Sequence, residues 1–121
     1  MTLRDGKYIL IVDDDDDIRL ALAEVLEDEG YQVKTAANGN EALVLLRSSE
    51  SPCMILLDLM MPVMDGWAFR EQQLNDPALA DIPVYVISAA GNAAGAPVPK
   101  ERFIPKPIML DHLLSLVEQA C

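Results

Sequence analysis

Apolar residues are laid along this chain in two alternating patterns. Short continuous runs, YILIV at Tyr8–Val12, CMILL at residues 53–57, VYVI at residues 84–87 and FI at residues 103–104, stop at Asp13, Asp58, Ser88 and, one proline later, Lys106. Runs this short, bounded by polar or turn residues, predict strands buried on both faces, as in the middle of a parallel sheet. Gln32–Ala36, more polar, predicts a further short strand. Between the strands the spacing turns helical. Ile18, Ala21, Leu22, Val25 and Leu26 mark one amphipathic face, with Gly30 as its stop. Asn38 and Glu41 form a capping box that opens a second helix to about Arg47, with Ala42, Leu45 and Leu46 as its inner stripe. Residues 66–75 carry Trp67, Arg70 and Leu74 on a third, and Leu110, Leu113, Leu114 and Val117 stripe the last.

Residues 89–102, AAGNAAGAPVPKER, break the rhythm. Their glycines and prolines, with no apolar stripe, predict a loop with at most a turn or two of helix near residues 92–95. The alternation otherwise predicts an α/β domain over residues 1–121, a parallel sheet with helices on both faces and right-handed crossovers.

Composition narrows the partners. A 121-residue chain that is 51% hydrophobic is the size of one ordinary domain and can bury a core without metal or disulfide staples. Its 20 acidic residues against 9 basic ones give a formal charge of -11, a field that repels phosphate backbones and anionic lipid. Nucleic acid and membrane are therefore poor partners, and a cationic partner or a divalent metal suits better. No stretch approaches the ~18 apolar residues of a membrane helix. The N-terminal apolar run is too short for a signal peptide, so a cytoplasmic protein is expected. Cys53 and Cys121 have no metal-site or disulfide-framework spacing, and are expected as a small buried hydrophobe and a terminal thiol.

The stretch MILLDLMMPVMDG, residues 54–66, is where chemistry concentrates: an apolar run ends in Asp58 and is followed by a proline and an Asp-Gly turn. In open α/β sheets ligands gather just beyond the carboxyl ends of the strands. At those ends this chain places Asp13 and Asp14, Asp58, Ser88 and Lys106. Carboxylates crowded there repel by on the order of 4 kcal/mol per pair at 4 Å and an effective dielectric of 20. Lys106 alone cannot offset that. Mg²⁺ fits best, because it uses few carboxylates, keeps waters and accepts phosphate oxygens. A metal, a lysine and a hydroxyl around one carboxylate resemble the apparatus of phosphoryl transfer, with Asp58 as nucleophile.

Asp15, Asp16 and Asp17 stand at a helix start and are assigned to capping. A calcium loop fits Asp13, Asp15, Asp17 and Glu24, but Ile18 occupies the position that needs glycine. An aspartyl phosphatase would need an acid two residues beyond Asp58, where Met60 stands. The side chains of Trp67, Met60, Met61, Met64 and Tyr85 take core or loop roles, His112 a structural or exposed one, and Lys100 and Arg102 solvated ones.

IVDDDDDIR, LLDLMMPVMDG, VISA and FIPKP, in this order at successive strand ends, are similar to the motifs of response-regulator receiver domains from two-component signal transduction systems. The resemblance spans essentially the whole chain. It implies a flavodoxin-like fold with five parallel strands ordered 2-1-3-4-5. It also implies a phosphorelay switch that takes a phosphoryl group on Asp58 from a phosphohistidine on a sensor histidine kinase or a histidine phosphotransfer protein. Such a domain catalyses its own phosphoryl transfer, and possibly its own dephosphorylation, rather than turning over a separate substrate. By the same resemblance Asp14 is the direct Mg²⁺ ligand, Asp13 acts largely through water, and the Met60 carbonyl is a further ligand. Ser88 and Lys106 meet the phosphoryl oxygens, Phe103 is the aromatic that moves inward with Ser88, and the Lys106–Pro107 bond is cis. The connection from Ser88 to Lys106 is shorter than the family's usual spacing, which removes length where the fourth helix belongs. Alternatives to a switch with a downstream protein partner are a receiver-like interaction module that is never phosphorylated and a phosphate sink without output.

Overall fold

The computed structural model describes residues 7–61 and 63–121. Residues 1–6, part of the N-terminal stretch whose apolar run is too short for a signal peptide, and Pro62, the proline that follows Asp58, lie outside the described residues. Five strands, β1 (Tyr8–Val12), β2 (Gln32–Ala36), β3 (Met54–Asp58), β4 (Val84–Ala89) and β5 (Phe103–Lys106), form one parallel sheet ordered β2-β1-β3-β4-β5. Four helices connect or follow them: α1 (Asp16–Asp28), α2 (Gly39–Ser48), α3 (Gly66–Leu74) and α4 (Leu110–Ala120). Between β4 and β5 stand only two 3-10 turns, Ala90–Gly95 and Lys100–Arg102. This is the flavodoxin-like fold with strand order 2-1-3-4-5, without a regular helix at that connection.

Strand alternation sorts the core into two apolar layers. Tyr8, Leu10, Val12, Ile55, Leu57 and Val86 face the side covered by α2 and α3. Ile9, Ile11, Met54, Leu56, Tyr85 and Ile87 face the side covered by α1 and α4. A strand buried on both faces cannot slip by one residue without exchanging its two layers, so the register of the central strands is tightly held. Val12 pairs with Leu57, Ile87 with Asp58 and Ala89 with Lys106, which brings the strand ends level along one edge.

The helix ends are set by local chemistry. Asp15 caps α1, its carboxylate accepting from the amides of Asp17 at 2.9 Å and Ile18 at 3.2 Å. Gly30, at φ 93°, ends that helix in the left-handed region where glycine carries no Cβ penalty. Asn38 accepts from the Glu41 amide at 2.9 Å, and Glu41 reaches back to the Ala37 amide, one residue before the expected partner. The inner faces differ from the sequence reading in detail. Ala23 rather than Ala21 lies inward on α1, Leu43 joins Ala42 and Leu46 on α2, and Leu74 and Leu110 are exposed. On α3 the anchor is Phe69, fully buried, beside Gln73, whose side-chain amide donates to the carbonyls of Leu79 and Ile82 at 2.8 and 3.1 Å. Those bonds tie down the connection between α3 and β4. No helix among the described residues is long and apolar enough to cross a membrane.

One expectation is overturned. Cys53 and Cys121 are bonded to each other, with Cα atoms 5.4 Å apart, so neither is a free thiol. Their separation of 68 residues hides the pairing from any local motif. The bond pins the end of α4 beside the start of β3, next to a cavity of about 420 Å³ lined by Lys7, Pro52, Asp81 and Pro83. That cavity opens at the edge of the sheet opposite Asp58. A cross-link closing a loop this long is expected to contribute about 4 kcal/mol in the chain-entropy account. Urea unfolding under non-reducing conditions should therefore show Cys121→Ser less stable by that order. Equal stability of variant and parent would show that the sulfurs are unbonded in solution.

Candidate functional site

β1, β3, β4 and β5 each end in a polar residue, and the parallel register collects those residues at one edge. Asp13 follows Val12, so it comes level with Asp58 on the neighbouring strand. Its amide donates to the Ala36 carbonyl at 3.1 Å, extending the ladder one step past β1. Its carboxylate accepts from the Asp15 amide at 2.9 Å, while its carbonyl accepts from Arg19 Nη1 at 2.6 Å. Arg19 also pairs with Asp16. One guanidinium thus fastens the first turn of α1 to the tip of β1.

Asp58 closes β3 and is 5% exposed. Its Oδ1 accepts from the Met60 amide at 3.2 Å and lies 3.9 Å from Lys106 Nζ. The chain leaving Asp58 must turn sharply into α3, and Gly66 permits it: a Cβ there would stand 2.7 Å from Leu59 Cα and 3.1 Å from the Asp58 carbonyl oxygen. Asp65-Gly66 is not the turn the sequence suggests. Asp65 caps α3, accepting from the Ala68 amide at 2.9 Å, and Gly66 is the first helical residue. The residue with positive φ in this connection is Val63, at 69°, an exposed β-branched side chain held in the left-handed region.

Oxygens of Asp13, Asp14 and Asp58 all lie within 4.8 Å of one another. Asp13 and Asp58 are buried and Asp14 is exposed, leaving the cluster open on one side. An all-carboxylate set of this size, with a lysine on one flank, fits a small hard cation that keeps part of its water shell. The charge balance agrees. Burial pushes the Asp58 carboxyl up to about 6, and the Asp13 carboxylate pushes it the same way against Lys106 and the Met60 amide. Asp13 is also raised, by burial first, with the Asp15 amide opposing. Lys106 therefore does not neutralise the cluster.

The other predicted residues fall where their strands put them. Ser88 is 2% exposed, and its Oγ accepts from Asn92 Nδ2 at 2.7 Å. Lys106 ends β5, and its bond to Pro107 is cis. Phe103 already lies inward, 8% exposed, within the layer under α2 and α3. Met60 is exposed and held through its amide. His112 is exposed on α4. Arg102 is not simply solvated, since its guanidinium stands over the Tyr85 ring at 5.6 Å from the centroid. Arg19 and Asn92 were missed. Arg19 stands three residues from Asp16, a spacing that could have signalled the pair, whereas Asn92 carried only its place four residues beyond Ser88.

Residues 9–118 match the family described as "Response regulator receiver domain". The chain is 36% identical over 111 residues to response regulator MprA of Mycolicibacterium vanbaalenii, covering 88% of this chain and 47% of that protein. It is 35% identical over 103 residues to the probable transcriptional regulator ycf27 of Porphyra purpurea, covering 82% of this chain and 41% of that protein. The chain thus spans less than half the length of these curated relatives. Among solved structures it superposes on the signal receiver domain of a signal transduction histidine kinase from Syntrophus aciditrophicus. The TM-score there is 0.81 at 32% identity, over 95% of this chain and 89% of that one. The chemotaxis response regulator CheY4 of Vibrio cholerae gives a TM-score of 0.81 at 25% identity, over 99% and 100%.

The raised Asp58 carboxyl makes a stability prediction. The unfolded group titrates near 3.8 and the folded one at about 6, so between these values the native state holds the extra proton. Stability from this group is full below about 4 and is lost as pH rises through 6. With metal chelated, Asp58→Asn should raise the unfolding free energy above pH ~7 by about 2 to 3 kcal/mol and leave it nearly unchanged near pH ~4. Urea titrations at the two pH values check this, and an equal effect at both would contradict it.

Proposed function

Because the chain belongs to the response regulator receiver domain family, we propose that it is a phosphorelay switch whose acceptor is Asp58. The observation that carries this reading is the meeting of Asp13, Asp14 and Asp58 within 4.8 Å, with Lys106 Nζ 3.9 Å from Asp58 Oδ1. A receiver domain implies a histidine kinase partner, and the donor in this reading is a phosphohistidine on such a kinase or on a histidine phosphotransfer protein. An Asp58 carboxylate oxygen attacks phosphorus in line, a P–O bond forms as the P–N bond breaks, and the imidazole leaves with the electron pair. The product is an acyl phosphate on this chain, with no separate substrate turned over.

Asp13, Asp14, Asp58 and the Met60 carbonyl are the groups that would hold Mg²⁺, which when bound neutralises phosphoryl and carboxylate charge. The chain's own residues do the rest. Lys106 presents its ammonium to one oxygen of the phosphoryl group, and the Ser88 hydroxyl donates to another. Each gains a charge-assisted bond that the unmodified site lacks. Phosphorylation adds about -1.5 to -2 charge, and that new charge is what Ser88, Lys106 and the neighbouring Phe103 respond to. In this reading the domain acts in the cytoplasm and alters the binding of a downstream protein.

Incubation with Mg²⁺ and a small phosphodonor, followed by intact mass, tests the proposal. One phosphoryl adduct is expected, absent in Asp58→Asn and without Mg²⁺. Lys106→Ala should slow its formation at least about tenfold, the loss of one bond to a charged group. An adduct that persists in Asp58→Asn would place the acceptor elsewhere.

A further inference from the structure

Ser88 does not stand alone behind Asp58. Its oxygen accepts from Asn92 Nδ2 at 2.7 Å, and Asn92 lies inside the 3-10 turn Ala90–Gly95. The same segment is gripped from α3. Trp67 Nε1 donates to the Gly95 carbonyl at 2.8 Å, and Arg70 Nε donates to the Pro97 carbonyl at 3.1 Å. Ala96 and Val98 pack against the layer that contains Phe103. A chain of directional contacts therefore runs from a buried hydroxyl beside the acidic cluster to an indole on the surface.

The direction of the first bond matters. An amide N–H can only donate, so with Asn92 on its oxygen Ser88 keeps its one proton free to donate elsewhere. The acceptor that phosphorylation would bring is an oxygen on Asp58. Phe103 is buried in the layer under α2 and α3. What touches the Ser88 oxygen is the β4–β5 connection, shortened to 3-10 turns.

We propose that Asn92 is a positioning residue that aims the Ser88 hydroxyl at the phosphoryl group and passes its displacement to the surface made by residues 91–98 and α3. The inference rests on Asp58 being phosphorylated. Ser88 is drawn toward the new oxygens, Asn92 follows the oxygen it holds, and the turn shifts against Trp67 and Arg70.

Trp67 is the only tryptophan in the chain, so its emission reports on this contact directly. The full chain is titrated with beryllofluoride and Mg²⁺, occupancy being followed by fluorine NMR and fluorescence in parallel. The parent should show a saturable change in Trp67 emission that tracks occupancy. In Asn92→Ala occupancy still saturates but the emission change is lost. In Asn92→Asp, the same shape with an acceptor in place of the donor, the hydroxyl proton is claimed by the new carboxylate. Half-saturation should then rise about tenfold or more, again with no emission change. Far-UV circular dichroism of both variants should match the parent. An emission change of parental size in Asn92→Ala, or a parent that binds without any change, overturns the coupling while leaving phosphorylation intact. A parent that neither binds beryllofluoride nor forms a phosphoryl adduct overturns both readings.

Discussion

The repulsion between Asp58 and Asp13 is the constraint around which this molecule is arranged. Two buried carboxylates on adjacent strand ends face the cost of leaving water and the cost of each other. Lys106, 3.9 Å from Asp58, supplies one opposing charge, and the Met60 amide supplies a dipole. The outcome of that contest is visible in Asp58 itself, whose carboxyl still sits at about 6. The local charge is therefore under-compensated, which makes the pocket receptive to a cation. With a cation bound, the same surroundings can tolerate the further negative charge of a phosphoryl group.

Holding like charges together requires a frame that cannot relax. The central strands are buried on both faces, and their register is set by two separate apolar layers. Releasing Asp13 from Asp58 would mean sliding β1 against β3, which would exchange side chains between two differently shaped layers and lose the fitted packing of both, typically ~1–3 kcal/mol per misfitted site. Close packing of both layers therefore opposes any shift that would part the strand tips. The caps do smaller work of the same kind. Arg19 fastens α1 to the Asp13 carbonyl, and Gly66 lets α3 begin against the Asp58 backbone.

How far the sequence could be read follows from the range of the interactions involved. Strand ends, the Asp15 cap and the Asn38 cap depend on residues a few positions apart, and each was legible. Asp58, Ser88 and Lys106 were legible because the parallel alternation places every strand's last residue on one edge. The Cys53–Cys121 bond was not, since it depends on where α4 comes to rest. Leu74 and Leu110 look inward by spacing, yet α3 turns on Phe69 and Gln73, and α4 on Leu113 and Val117. Short helices carry too few apolar positions for periodicity to choose between neighbouring faces. Arg102 looks like a solvated charge in the sequence because its ring partner, Tyr85, lies 17 positions away on β4.

The missing helix between β4 and β5 changes who satisfies whom. In a regular helix the carbonyls of residues 95 and 97 would be met by backbone amides within the same element. Here they are met by an indole and a guanidinium from α3. That substitution fuses the connection to α3, because moving either one breaks bonds belonging to both. Burial and the nearby Arg102 lower the Arg70 pKa, so its charge is held at a cost that its carbonyl and Gln73 contacts help offset. In the proposed coupling a rearrangement that begins at Ser88 reaches α3 through these two bonds, at the surface on which Trp67 stands.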